Sequence, residues 1–358
     1  MMNNKALIDK LNTQKALQKE EWIQLFTTFC EEDRVYAATI ARRIADSIFG
    51  KNIYIRGIVE FSNFCKNDCF YCGIRCSNQN ALRYRLSKEE ILACCDEGRK
   101  LGFMSFVLQS GEDKAYSVPE LCDIAKQIKT RHPDCALTLS LGELKPEEYR
   151  ALYDAGADRY LLRHETANEE HYRRLHPQKM SFQKRMACLE ELKKIGFQTG
   201  CGMMIGSPFQ SAACLAEDML FIKRFEPHMV GIGPFLPHQH TPFKDMPKGS
   251  FETTLFCLSL IRIMLPKTLL PSTTALGTIH PFGREEGIKA GANVVMPNLS
   301  PTAVRKKYML YDDKICTGDE SAQCVNCLEK RLESIGYKIE ISREDYPVNS
   351  DICHPYGG

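Results

Sequence analysis

From about residue 53 to residue 297 the chain alternates strand-like apolar runs with helical patterns, and no other feature limits its fold as tightly. The runs lie at 53–61, 103–109, 136–141, 160–164, 197–205, 229–235, 269–274 and 293–297. Helix start and stop signals separate several of them. Ser87 with Glu90 three residues on is a capping box, and the helix it opens ends before Gly102. Ser181 caps a helix over 182–195 that stops at Gly196. Eight strands alternating with helices are what a (β/α)8 TIM-type barrel requires. A doubly wound sheet also alternates, so the count of strands carries the choice. Residues 3 to about 49 show helical patterns only, and beyond Pro301 the alternation gives way to charge and turns. The expected organisation is a helical segment over 1–50, a barrel over 51–300 and a C-terminal extension over 301–358.

The first run leads directly into FSNFCKNDCFYCG, which sets Cys65, Cys69 and Cys72 at C-x3-C-x2-C spacing. Three thiolates hold three irons of a [4Fe–4S] cluster and leave the fourth open, whereas four-cysteine ferredoxin sites close every iron. An open iron is a place to bind and break something. Chance spacing among 17 cysteines is a weak alternative. Zinc with a distant fourth ligand is a better one, although zinc sites usually pair one C-x2-C with another.

In a (β/α)8 barrel functional groups gather where strands end and βα loops begin. The cysteine motif falls there. After the second run come Gln109, Ser110, Gly111 and Glu112, which read equally well as a plain βα turn. The third run ends in Thr138, Ser140 and Glu143, and the fourth in Arg163, His164 and Glu165. Burying that charged trio is costly unless it is paired or bound to a ligand, so it is a candidate site with an ion-pair network as the alternative. Thr273 and Thr274 close the seventh run and Met296 lies near the end of the eighth, each as readily packing as chemistry. In the tail, Cys316, Cys324 and Cys327 suggest an accessory iron–sulfur centre, with zinc as the competitor. His238 and His240, in PHQHTP, are more simply loop residues than metal ligands.

Composition narrows the function classes. Hydrophobic residues make up 44% and charged residues 26%, with a formal charge of +2. That balance argues against broad electrostatic capture of nucleic acid or anionic membrane. No apolar run approaches the roughly 20 residues of a membrane span, and Arg262, Pro266 and Lys267 interrupt the most apolar stretch, 255–270. The N-terminus lacks the apolar core of a secretory signal. Abundant cysteine without an export signal points to a reducing cytoplasm rather than a disulfide framework. Cys94, Cys95, Cys122, Cys188 and Cys257 fall on apolar helical faces and are expected in the core.

With these motifs in hand, the chain resembles the radical S-adenosylmethionine (SAM) enzymes, and within them the HydE family of [FeFe]-hydrogenase maturases. The segments that carry the resemblance are EFSNFCKNDCFYCG, LQSGED, LTLSLGE, AGADRYLLRHETAN, MVGIGPF, TTALGTI and GANVVMPN, spanning about residues 53 to 327. It implies that Cys65, Cys69 and Cys72 ligate a catalytic [4Fe–4S] cluster whose open iron is chelated by SAM, and that reductive cleavage yields a 5′-deoxyadenosyl radical. It implies SAM contacts from the turn Gln109, Ser110, Gly111 and Glu112, from Thr138 and Tyr308, from Glu165 to the ribose, from Arg185 to the carboxylate and from Met229 to the nucleoside. Arg163, Thr273, Thr274 and Tyr311 would line the substrate cavity. A carboxylate suits ribose hydroxyls, and arginine suits a carboxylate bidentately.

The resemblance further implies a substrate, a HydG-derived iron carbonyl–cyanide complex carrying cysteine, and a product acceptor, the scaffold HydF. Reduced ferredoxin or flavodoxin would supply the electron, and Cys316, Cys324 and Cys327 would hold a second cluster found in only some members. Lys184 beside Arg185 and the two histidines of PHQHTP depart from the family pattern. The rival readings are a radical mutase of the methylornithine synthase type, a sulfur-inserting enzyme of the biotin synthase type, and a non-catalytic zinc or metallochaperone protein.

Overall fold

The computed structural model describes residues 2–315 and 325–347. Three helices open the chain, α1 (Asn4–Gln14), α2 (Lys19–Thr28) and α3 (Glu31–Phe49). The first barrel strand comes in two pieces, β1 (Asn52–Ile55) and β2 (Gly57–Ser62). Then follow α4 (Lys88–Lys100), β3 (Ser105–Ser110), α5 (Val118–Arg131), β4 (Ala136–Ser140), α6 (Pro146–Asp154) and β5 (Arg159–Leu161). The second half holds α7 (Glu169–Leu175), α8 (Phe182–Ile195), β6 (Gln198–Cys201), β7 (Met204–Ile205), α9 (Ala212–Phe225), β8 (Met229–Val230), β9 (Gly233–Pro234) and α10 (Phe251–Met264). Last come α11 (Thr274–Ile279), α12 (Gly283–Lys289), β10 (Val294–Val295), α13 (Thr302–Arg305), α14 (Val325–Glu333) and β11 (Lys338–Glu340).

Six strands pair in parallel in the order β2-β3-β4-β5-β6-β8. Single parallel bridges then join Met229 to Leu269, Pro271 to Val294 and Asn298 back to Ile58, while β1 pairs with β10 through Tyr54–Val294 and Ile55–Val295. The ring therefore closes, with the stretch 269–271 as its seventh stave, and the doubly wound alternative falls. That stave is held by bridges because Pro271 has no N–H to donate. Both expected start signals are present: the Ser87–Glu90 capping box opens α4, and Ser181 caps α8, which Gly196 ends at φ +112°.

Strand side chains alternate between the helix layer and the barrel interior. Ile53, Ile55, Val59, Phe61, Phe106, Leu108, Leu139 and Tyr160 join the buried apolar core with the helices. Each such aliphatic or aromatic side chain contributes on the order of 1.5–3 kcal/mol when fully buried. The inward set is polar instead: Arg56, Glu60, Thr138 and Arg159 are all buried. Helix α10 is buried on every side from Thr254 to Met264, because α3 covers its outer face. Arg262 within it is structural, donating to Gly291 O at 2.9 Å, Pro266 O at 2.7 Å and Asn293 Oδ1 at 2.9 Å.

The tail is woven into the barrel. Strand β11 pairs in parallel with β1, and Glu344 beyond it forms a bidentate contact with Arg56 at 2.5 and 2.7 Å. Arg159 Nη2 donates to the carbonyls of Arg343 and Glu344, both at 2.6 Å. Near the strand ends, Lys314 reaches inside to Glu60 at 2.5 Å and to Tyr308 O at 2.9 Å. No helix among the described residues is long and apolar enough to cross a membrane.

Candidate active site

The loop after β2 carries the three cysteines, and much of its shape comes from side chains gripping its backbone. Asn63 donates to Leu82 O at 2.9 Å and Lys307 O at 2.6 Å. The Arg83 guanidinium donates to the carbonyls of Ile74, Arg75 and Asn78 at 2.9, 2.6 and 3.2 Å. Gly111 lies flat against the loop: a Cβ there would stand 2.2 Å from Phe64 O and 2.8 Å from Cys65 Cβ. The loop thus holds Cys65, Cys69 and Cys72 half-buried. Burial pushes the Cys72 thiol up to about 12 and those of Cys65 and Cys69 upward too, with Cys65 and Cys72 both adding repulsion at Cys69. Three adjacent thiols that resist ionisation alone are readily ionised by a cationic metal centre. Among the described residues no three His, Cys, Asp or Glu side chains are disposed around a single metal ion. Three thiols on one loop match the ligand set of a [4Fe–4S] cluster with an open iron.

Beside this loop the turn after β3 continues into an ion-pair network. Lys66 pairs with Glu112 at 2.7 Å, and Glu112 Oε1 accepts from Glu143 N at 3.1 Å. Gly142, at φ +79°, leaves room for Glu112, whose Cγ would lie 2.1 Å from an added Cβ. Glu143 in turn receives Arg185 at 2.7 Å and Lys184 at 3.4 Å, and Arg185 also donates to Arg163 O at 2.8 Å. Ser110 is occupied locally, donating to Gly111 O at 2.7 Å. A cleft of about 700 Å³ opens from this turn between α5, α6 and α8.

The fourth strand end splits the trio that the sequence places there. His164 turns to the helix layer, 3.4 Å from Asp218 and against the Phe221 ring at 4.7 Å, and is structural. Arg163 and Glu165 form an ion pair at 3.2 Å, yet Arg163 Nε and Nη2 and Glu165 Oε2 have no hydrogen-bond partner. Thr138 Oγ1 and Thr273 Oγ1 are buried without partners as well. Glu165 also adopts φ +66°, a strained conformation for a non-glycine residue that commonly marks a functional site. Polar atoms buried without partners are costly. Among the residues that the sequence had already singled out, Glu112 Oε2 and His164 Nε2 share this state with Thr138, Arg163, Glu165 and Thr273. At Gly231 an added Cβ would meet nothing within 4 Å, so the barrel is open at that level.

The remaining candidates divide. Tyr308 is buried and accepts from Gln109 Nε2 at 3.2 Å, while Thr274 opens α11 after Thr273 and Tyr311 is half-buried in the segment beyond α13. Met229 does not join them: its sulfur faces Arg56 at 3.1 Å, and it packs with Phe49, Leu269 and Val294. Cys327 is exposed on α14, and Cys316 and Cys324 lie outside the described residues. His238 packs beside the cysteine loop, its ring 2.3 Å from where a Cβ on Gly73 would stand. Cys94, Cys95, Cys188 and Cys257 are buried, and Cys122 is half-buried.

Three thiols on the first βα loop of a closed parallel barrel, with unpartnered polar groups inside it, define a radical SAM enzyme. The sequence profile of the Radical SAM superfamily matches residues 59–222. Subunit HydE of the [FeFe] hydrogenase maturase from Thermotoga maritima is 46% identical over 299 residues, covering 84% of this chain and 85% of that one. The chain belongs to the HydE family. More distant is 3-methylornithine synthase from Methanosarcina barkeri, 29% identical over 86% of this chain and 85% of its own. Among solved structures, methylornithine synthase (PylB) superposes with a TM-score of 0.79 at 25% identity, over 93% of this chain and 97% of that one. The maturase HydG shares the fold with a TM-score of 0.78 at 21% identity, over 95% and 77% of the two chains.

Proposed function

We propose that this enzyme acts on a HydG-derived iron carbonyl–cyanide complex carrying cysteine, at its sulfur, towards a diiron species passed to HydF. A reduced ferredoxin or flavodoxin would be the electron donor. When bound, the [4Fe–4S] cluster and SAM supply a 5′-deoxyadenosyl radical. The residues of this chain do the rest. Cys65, Cys69 and Cys72 hold the cluster, Gln109 to Glu112 and Thr138 flank the methionine end of SAM, Glu165 takes the ribose and Arg185 the carboxylate. Tyr308 joins the SAM contacts, Arg163 and Thr273 offer donors to an anionic substrate in a cavity shared with Thr274 and Tyr311, and the closed ring of strands excludes water.

The observation that carries this reading is the set of buried, unpartnered polar atoms on Thr138, Arg163, Glu165 and Thr273. Without a ligand they are a standing cost. The test is mass spectrometry of SAM-derived products from anaerobically reconstituted, reduced protein, with and without the iron complex. Cleavage accelerated by the complex, or adenosyl adducts at its sulfur, is expected; indifference to the complex discards this substrate. Arg163→Ala should lose turnover of the complex by at least about 100-fold, as for an unpaired charged hydrogen bond, while still binding SAM. Cys69→Ala should abolish SAM cleavage outright.

A further inference from the structure

Tyr172 was not among the candidates read from the sequence. It lies on α7, directly after the Arg163–Glu165 strand end, and is fully buried. Its ring is clamped by His176, stacked at 4.0 Å, and by Phe182, edge-on at 5.6 Å. Yet its hydroxyl has no hydrogen-bond partner. A phenol in this position could as well have been phenylalanine if packing were its purpose, because buried Tyr hydroxyls usually find a partner.

The charges around this hydroxyl agree with its place in the fold. Burial raises its pKa, and the charges felt there are Arg185 first, then Glu143, Cys69 and Glu165. Those are a guanidinium, the carboxylate that orients it, a cluster ligand and the strained glutamate. The ring itself meets Phe182, the first residue of α8, with Arg185 one turn further along that helix, and His176 behind it meets Tyr71 of the cysteine motif, so Tyr172 lies between the cluster loop and the Arg185 helix. Its support is rigid. His176 Nδ1 lies 2.9 Å from the Tyr172 carbonyl, which can only accept, so Nδ1 carries the proton. His176 Nε2 is then the acceptor for Tyr71 OH at 3.1 Å. Tyr71 is part of the cysteine motif, so α7 and the cluster loop are tied together directly behind this hydroxyl.

We propose that the Tyr172 hydroxyl donates a hydrogen bond to bound SAM, at the carboxylate that Arg185 receives. The inference rests on the functional reading above and adds a cofactor-binding residue to it. Arg185 already spends donors on Glu143 and on Arg163 O, so a second donor completes a carboxylate site whose guanidinium is only partly available. The phenol has no other role to give up, and that makes the test sharp.

In reconstituted protein, Tyr172→Phe should bind SAM about tenfold more weakly, the loss expected for one hydrogen bond to a charged group. It should leave the Tm unchanged or slightly higher, because the hydroxyl has no partner to lose. The SAM-induced change in the electron paramagnetic resonance spectrum of the reduced cluster should then require correspondingly more SAM. Wild-type affinity in Tyr172→Phe would overturn the proposal, as would a marked drop in Tm, which would show a structural partner for the hydroxyl. Tyr172→His, keeping a donor, should recover part of the affinity. If the wild-type protein itself bound no SAM, the functional reading and this inference would fall together.

Discussion

At the residue scale, the site depends on groups held in definite protonation states by what surrounds them. Burial pushes His176 down to about 3, and both its nitrogens are committed as a neutral ring. Unfolding exposes an imidazole that titrates near 6.5. Between pH 6.5 and 3 the unfolded chain thus binds one proton more than the folded one, and stability rises with pH in that window. The His176 contribution is fully present above pH 6.5 and is lost as the pH falls, by up to about 1.4 kcal/mol per unit. Thermal melts of wild type and His176→Asn between pH 5 and 8 should show a flatter acid limb in the variant. Parallel limbs would mean that another group carries the pH dependence.

At the element scale, two turns meet where the cluster is to sit. The turn after β3 can approach the loop after β2 only because residue 111 has no side chain. Gly111 N also donates to Ser62 O at 3.1 Å, and Ser62 Oγ and Arg85 both bond Asp113, at 2.6 and 2.7 Å. The turn is pinned on both flanks. A methyl group at Gly111 must therefore displace the cysteine loop, since backbone cannot yield as a flexible side chain can. Gly111→Ala is expected to fold, with a far-ultraviolet spectrum like the wild type, but to take up well under half the iron on reconstitution. Full iron loading would show that the loop tolerates the shift. Read from sequence as a plain βα turn, this segment does not reveal the approach, because the contact joins residues 64 and 111.

At the scale of the whole molecule, the barrel floor is closed by the tail. Arg56 and Arg159 are two cations in the same interior, both buried, and burial with mutual repulsion pushes Arg159 down to about 10. Glu344, itself buried, arrives from 288 residues away to pair with Arg56, and its carbonyl accepts from Arg159. Removing that carboxylate leaves Arg56 buried without its ion-pair partner, while Arg159 keeps Asp345 at 3.3 Å. Glu344→Ala should lose about 3 kcal/mol of stability and several degrees of Tm, while Glu344→Asp, which keeps the charge, should lose less. Equal melting of all three proteins would show the floor to be solvated.

The sequence by itself determined the barrel and the chemistry at its mouth, for identifiable reasons. Strand and helix periodicities are local, so all eight staves could be read, as could the Ser87 and Ser181 caps. The spacing of Cys65, Cys69 and Cys72 is local too, and it points to an open [4Fe–4S] cluster ahead of zinc without any fold. Arg163 and Glu165 could be picked out because charges directly after an apolar strand are anomalous wherever the chain goes. Only the tertiary structure could decide which side each faces: alternation along the strand end sends His164 to Asp218 and keeps Arg163 and Glu165 inside. Tyr172 left no trace in the sequence, since HYRRLHP reads as an ordinary helix turn until its hydroxyl proves buried and unpartnered. Glu344 was decided by chain return, a long-range fact set by packing rather than by any residue's neighbours in sequence.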